Sequence, residues 1–487
     1  MFIRHSRPYF RASRIDVAVL YLYLATLLLM LTVWDVSANP LKPGGEGSVE
    51  KQAFWSFNQP MATLNSVEKS EFYTGRALAQ QPWVKAPSST TSRHGLGPLY
   101  NARTCMACHI NGGRGLLPED GKVRLTQGIV RLSVPGTHPM LGVVPEPTYG
   151  DQLQTQSTAL AHQLSLSDYP EGEVRPEAYI YIDWQEQGFS YPDGSQASLR
   201  KPNLRFENLG YGELDPTTLI SFRNAPALHG SGLLEQVSDT DLLRNVELQR
   251  ALPHVSGRVN RVWNPETQKN EIGRIGWKAN KPSVKVQTAA AFQSDVGITN
   301  SIFPHQPCES GQLNCHNQIN GNDRDGFEVS DVLLDKVVYF VQHIGVPKSR
   351  NNQSSEVLAG KKLFSDTGCV NCHRPSYVTQ KNNQFPHLSE QEIWPYTDLL
   401  LHDMGEALAD NRPDFLASGR EWRTPPLWGV GLSKAVNGSG LLLHDGRARS
   451  VEEAILWHGG EATSAQGKFI KLSKTERENI IKFVESL

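Results

Sequence analysis

The apolar and polar positions fall into segments of different period. Residues 39–66 hold no sustained period and read as a loose leader. The stretch 71–79 has helical spacing. From 118 to 222 the character changes. Segments 122–134 and 179–184 are rich in β-branched and aromatic residues and partly alternate, which predicts strands, and Pro192-Asp193-Gly194 is a turn signal between such runs. Residues 223–350 look mixed. Within them, 332–343 is apolar at helical spacing and Pro347 supplies a stop. The chain ends in a helix that opens on a capping box, Ser473 with Glu476, and presents Ile480, Ile481, Val484 and Leu487 on one face.

The N-terminus is patterned for export. Arg4, Arg7, Arg11 and Arg14 precede an uncharged, mostly apolar run over 17–34, and Val36-Ser37-Ala38 has the small residues of a signal-peptidase site. A signal peptide over 1–38 is the expectation. The alternative is an uncleaved membrane anchor, because the run is nearly long enough to span a bilayer. Either way the remaining chain lies outside the cytoplasm, in the periplasm. No later apolar stretch is long enough to cross. Removing 1–38 takes four Arg and two Asp and moves the formal charge from −2 to −4, which argues against a nucleic-acid partner. With 487 residues, 41 Gly and 30 Pro, two or three domains joined by long irregular connections are expected.

Six cysteines in an exported chain need an account. Four form Cys105-Met106-Ala107-Cys108-His109 and Cys369-Val370-Asn371-Cys372-His373. This spacing is that of c-type haem attachment: two thiols add to the vinyl groups along one porphyrin edge, and the adjacent imidazole reaches the iron. A redox dithiol or a zinc site would not require the histidine both times. His109 and His373 are therefore the proximal ligands of two haems. Gly360, on the helix before the second motif, lets another helix cross closely. Cys308 and Cys315 are expected to pair as a disulfide; the competing reading makes Cys315-His316 part of a third, irregular haem site.

A weak internal repeat frames both motifs. Gly75-Arg76-Ala77-Leu78 precedes the first and Gly360-Lys361-Lys362-Leu363 the second. Arg223-Asn224-Ala225-Pro226 through Gly232-Leu233 follows the first, and Arg423-Thr424-Pro425-Pro426 through Gly431-Leu432 the second. The predicted organisation is an N-terminal haem domain over 67–350, with a β-rich insertion over about 118–222, and a C-terminal haem domain over 351–487.

The stretches 396–405, 422–429, 443–448 and 453–462, with Gly273-Arg274-Ile275-Gly276-Trp277-Lys278-Ala279 and Asp295-Val296-Gly297-Ile298-Thr299, resemble the di-haem oxidoreductase family of peroxidase-like proteins. That family is distantly similar to bacterial di-haem cytochrome c peroxidases and to the di-haem enzyme that matures methylamine dehydrogenase. The resemblance covers nearly all of 70–487, apart from the long insertion between the motifs. It implies a mainly α fold of two cytochrome c-like haem domains with a β-containing insertion. It also implies a peroxidase that reduces peroxide with electrons from a small donor protein or another reductant. Two alternatives stand beside it: a non-catalytic di-haem electron carrier, and an oxidase of thiols or protein side chains.

Carried over residue by residue, the resemblance puts His458 at the sixth position of the second haem, with Met404 as the alternative and His402 and His444 as structural residues. For the first haem, His94, His138, His162 and His229 remain equal candidates, and an open position would suit peroxide. Glu235 is a candidate catalytic acid against the plainer reading of a helix-start glutamate. Trp277 is either an electron relay between haems or ordinary core. Thr424 and the Pro426 carbonyl are candidate ligands for an interdomain Ca2+, against a rigid turn.

Overall fold

In the computed structural model, which describes residues 41–51, 53–158, 176–316, 318–322 and 324–487, helix α1 (Ser66–Gln80) opens on a capping box. Asn65 Oδ1 accepts from the Val67 and Glu68 amides, and the Glu68 carboxylate accepts from the Asn65 amide. The last helix, α6 (Lys474–Ser486), opens the same way on Ser473 and Glu476, as its sequence predicts. Between them run α2 (Asp239–Gln249), α3 (Val284–Val296), α4 (Asp331–Gln342) and α5 (Ser355–Thr367). The predicted signal segment and His162 lie outside the described residues. Among the described residues no helix is long and apolar enough to cross a membrane.

The repeat seen in the sequence is a packing motif. A Cβ on Gly75 would stand 2.0 Å from the Lys336 carbonyl, so α1 meets α4 backbone to backbone; one on Gly360 would stand 1.9 Å from the Asn479 carbonyl, so α5 meets α6 likewise. The later halves of the repeat join the same helix pairs. A Cβ on Gly232 would meet the Gln342 carbonyl at 2.2 Å, and one on Gly431 the Glu485 carbonyl at 2.1 Å. Each half of the chain thus seats two glycines, one before and one after its Cys-x-x-Cys-His motif, on a single later helix.

The expectation of a mainly α fold built from two cytochrome c-like domains is overturned. Helix accounts for 32% of the chain and strand for 18%, and the strands form six small sheets among the described residues. The reason lies in the connections. Proline- and glycine-rich stretches between the helices do not wander as coil but pair locally, as in Arg261–Asn264 with Lys269–Ile272 and Leu401–Asp403 with Glu421–Arg423. The predicted β-rich insertion is present. Strand β1 (Gly128–Ser133) lies between β2 (Gln152–Leu153) and β5 (Leu219–Asn224), with Val130 opposite both Leu153 and Phe222. Strands β3 (Tyr179–Ser190) and β4 (Gln196–Glu207) form a long hairpin that turns at Pro192-Asp193-Gly194.

The cores cross the boundary between the halves. The cluster around Phe72, Phe292 and Phe340 takes in Tyr377, Ile393 and Trp428 from the C-terminal half. The cluster around Phe364, Phe483 and Trp457 takes in Trp277 and, from the hairpin, Tyr191. The hairpin tip is strapped down by polar contacts: the Tyr191 hydroxyl donates to Glu452 at 2.8 Å, and the Arg477 guanidinium donates to Asp193 at 2.9 Å and lies 3.8 Å over the Tyr191 ring.

The α5–α6 crossing yields a test of sign. Gly→Ala inside a helix normally stabilises by about 0.5–1 kcal/mol. Gly360→Ala is expected instead to destabilise by roughly 1–3 kcal/mol, the scale of an overpacked contact, read as a lowered Tm; an unchanged or raised Tm would refute the close crossing.

Candidate haem sites

Thr104 caps the turn Cys105–Cys108 through its Oγ1, which accepts from the Ala107 amide at 3.1 Å, and this turn presents Cys105, Cys108 and His109 together. The second motif follows the left-handed Gly368 that ends α5. All four motif cysteines are unpaired, whereas Cys308 and Cys315 form a disulfide in agreement with the expectation from sequence; that bond removes the irregular third haem site. Burial pushes the Cys105 and Cys108 thiols up to about 12 and Cys369 to about 11, so uncombined they are poor thiolate ligands for zinc.

The three predicted ligand histidines share one arrangement. His109 donates from Nδ1 to the Pro226 carbonyl at 2.7 Å, His373 from Nδ1 to the Tyr396 carbonyl at 2.9 Å, and His458 from Nδ1 to the Ala454 carbonyl at 2.6 Å. Each bond fixes the tautomer and leaves Nε2 as the bare ring nitrogen, with no hydrogen bond of its own. Such Nδ1–carbonyl bonds are the usual support of a metal-bound imidazole. Burial lowers the pKa of all three; for His373 it falls to about 4, helped by the nearby His458. Neutral imidazole is the form that binds iron. His458 lies close enough to His373 for its charge to act there. Met404 packs against the same core cluster. The turn of helix that ends at Leu456 delivers His458.

His343 shares this arrangement, with Nδ1 on the Tyr339 carbonyl at 2.7 Å and Nε2 without a partner, and stacks on Tyr339. The other histidines proposed from the sequence are placed differently. His402 uses both nitrogens, Nδ1 on Glu461 at 2.7 Å and Nε2 on Asp398 at 2.8 Å; burial opposes its charge, but Asp398 and the Cys372 sulfur, 3.7 Å from Nδ1, raise its pKa well above the ordinary imidazole value. His444 stacks on Trp422 at 3.6 Å. His229 lies in the wall near the first motif, but it stacks on Phe57 at 3.9 Å, with Nε2 bonded to the Trp428 carbonyl at 3.1 Å. His138 Nδ1 accepts turn amides of Met140 and Leu141, and His94 is not in that wall.

A cavity of about 250 Å³ surrounds the first motif. Its wall combines Ile129 and Arg131 of β1, Thr288 and Asp295 of α3, Phe340 and Val341 of α4, and Pro425, Pro426 and Trp428. Glu235 is not in this wall. Its carboxylate accepts from the Val284 amide at 2.9 Å and from Gln342 at 2.8 Å, so it caps α3 and ties it to α4. The wall contributes a different acid, Asp295. One of its oxygens accepts from Gln152 at 2.9 Å, and burial raises its pKa. Asp295 stands within the family-like run that ends at Thr299, but only the packing of α3 against the first motif distinguishes it from a surface residue near a helix end. Trp277 belongs both to the cavity wall and to the second core cluster; its indole donates to the Asn224 carbonyl at 2.8 Å.

The residues fit two haems: paired thiols, imidazoles with a bare Nε2, an apolar wall, and cations at its rim. They do not fit calcium. The Thr424 carbonyl already accepts from Thr397 Oγ1 at 2.5 Å and from the Arg423 guanidinium at 3.1 Å, so a second cation there would face a charge of its own sign. Among the described residues, the one cluster of three metal-binding side chains is Cys372, Asp398 and His402, and both nitrogens of His402 are taken.

Two Cys-x-x-Cys-His motifs, each with its histidine held through Nδ1 by a carbonyl, define a di-haem protein. Residues 39–487 match the family model described as "Di-haem oxidoreductase, putative peroxidase", and the chain belongs to that family. No curated protein matches it.

The acid pair around His402 carries a pH signature. A raised histidine contributes stability that is fully present below its ordinary 6.5 and is lost as pH rises through the folded value, while Glu461, held down at about 2, needs pH above its ordinary 4.5 to contribute in full. The stability difference between the native chain and His402→Gln is therefore expected to be widest between pH 4.5 and 6.5 and to narrow in alkali, measured by urea unfolding across a pH series.

Proposed function

We propose that the protein is an exported c-type di-haem oxidoreductase that reduces peroxide with electrons from a small redox donor. The observation that carries this reading is the asymmetry of the two sites. The second brings His458 toward His373, a pair suited to a six-coordinate, electron-storing haem. The first sets His109 in a cavity where, among the described residues, the one other histidine, His229, is held by a ring stack and a carbonyl. One face there is left for a small oxidant.

The haems supply the electron transfer and the reduction of the peroxide bond. The chain does the rest. Cys105, Cys108, Cys369 and Cys372 hold the groups by thioether bonds, which suits a periplasmic protein that must not lose its cofactor. Pro226, Tyr396 and Ala454 aim the imidazoles. Burial raises the Asp295 pKa, and its carboxylate oxygen not bonded to Gln152 is the one that would carry a proton to the leaving oxygen. The apolar wall excludes bulk water. Trp277, in the wall of the first site and in the core cluster of the C-terminal half, would be the electron path between the haems.

Three measurements test this. The purified chain should show the mass of two attached haems; a colourless protein with four free thiols would end the proposal. His458→Ala should convert the one low-spin haem to high spin, while a low-spin haem that persists would return the sixth position to Met404. Asp295→Asn should lower peroxide turnover by about 10²-fold or more, the usual scale for a general acid, with both haems retained. Two low-spin haems in the native protein, unresponsive to peroxide, would instead identify an electron carrier.

A further inference from the structure

Six cations line the cavity around the first motif: Arg114, Arg131, Arg223, Arg274, Lys281 and Arg423. Three have carboxylate partners, Asp151, Asp414 and Asp239 in turn. Arg114, Lys281 and Arg423 have no ion-paired carboxylate, inside walls that are mostly apolar. A buried charge without a close counter-charge is costly, and the positive excess therefore calls for an anionic ligand.

Arg114 and Arg423 are the most distinctive of the six. Both are buried, and neither has a carboxylate within ion-pair distance. Arg114 donates to the Leu443 carbonyl at 2.7 Å, and its Nε is buried without any partner; its guanidinium lies 5.0 Å over the ring of Trp277. Arg423 donates to the carbonyls of Gly276 at 2.9 Å and Thr424 at 3.1 Å. Its own amide donates to the Trp277 carbonyl at 2.8 Å. The Arg114 guanidinium thus lies over the Trp277 ring, and the Arg423 guanidinium bonds to the carbonyl of Gly276, the residue before that tryptophan. One comes from the loop after the first Cys-x-x-Cys-His motif and the other from the repeat after the second. Lacking acid partners, they keep donor capacity for planar, bidentate carboxylate recognition.

We infer that Arg114 and Arg423 are the carboxylate anchors of the first haem, receiving its propionates beside Trp277, and that the Arg423 guanidinium occupies the interdomain position assigned by resemblance to calcium. This rests on the proposal that a haem fills the first cavity. The arrangement makes the positive charge a covalent part of the chain, so it is present at all times and needs no dissolved ion. Its effect is to favour the reduced state of the haem it holds, because each fixed cation opposes the additional positive charge of ferric iron.

The test is a redox titration of the holoprotein, followed by its visible spectrum, on Arg114→Gln and Arg423→Gln after two haems per chain have been confirmed by mass. Each variant is expected to shift the oxidised-to-reduced ratio of the first-site haem about tenfold toward oxidised at a fixed ambient potential, equal to about 59 mV for a one-electron couple. Arg423→Lys should hold the ratio within about threefold, because a lysine keeps the charge. Chelation of calcium should leave the native protein unmoved. Unchanged ratios in both glutamine variants, with both haems present, overturn the inference. A chain without haem at Cys105 and Cys108 overturns the underlying proposal instead. A native protein that shifts on chelation and recovers on added Ca2+ overturns the assignment of the cation position to Arg423. Should a glutamine variant fail to fold, resonance Raman of Arg114→Lys and Arg423→Lys decides: the propionate bending mode moves if the guanidinium holds the carboxylate and stays in place if it does not.

Discussion

An imidazole can give a metal only the nitrogen it has not already committed, and in this protein three carbonyl oxygens make that commitment. Pro226, Tyr396 and Ala454 each accept the Nδ1–H of a histidine and so leave its Nε2 as the ring nitrogen a metal could take. The three carbonyls come from different contexts: a proline after a strand, a loop tyrosine, and the preceding turn of the histidine's own helix. The same constraint disqualifies the competitors. His402 has both nitrogens on carboxylates, and His229 is held by Phe57 and Trp428. His343 makes the same bond, to the Tyr339 carbonyl at 2.7 Å, so the carbonyl alone does not select the ligands; for His109 and His373 the adjoining cysteine pair completes the selection.

A second constraint is the joining of the halves. The glycine contacts at Gly75, Gly232, Gly360 and Gly431 give each half its own helix crossing, as expected of a repeat. The repeat does not stay separate. Trp277, from the N-terminal half, packs among Phe364, Phe483 and Trp457, and Trp428, from the C-terminal half, packs among Phe72 and Phe340. Each half supplies a large aromatic to the other's core, so the geometry between the sites is fixed by side-chain packing and not by a linker. The β3–β4 hairpin reinforces this through Tyr191 and Asp193.

Much of this was legible in the sequence where local chemistry decides it. The two Cys-x-x-Cys-His motifs, the capping box at Ser473, the hairpin turn at Pro192-Asp193-Gly194 and the close approach at Gly360 depend on a few neighbouring residues. The fold class was not legible, because the connections between helices have mixed composition and their pairing as short strands depends on partners brought up by tertiary packing. Leu401–Asp403 meets Glu421–Arg423 across an irregular loop with no hairpin signature. The acid of the first site was missed for a related reason. Glu235 follows a conspicuous glycine-leucine run, but its two hydrogen bonds turn it into a cap for α3. Asp295 near the end of α3 has no local mark. It gains its place when that helix packs beside Cys105, more than 180 residues earlier in the chain.

The wall of the first cavity has a consequence for how the protein is made. Its cysteines lie at 105 and 108, yet Pro425, Pro426 and Trp428 complete the enclosure. If haem is bonded to those cysteines as proposed, a porphyrin must reach them before the last third of the polypeptide closes over the site. Attachment would then precede closure: the haem is bonded to an open chain, and the later segment folds over it.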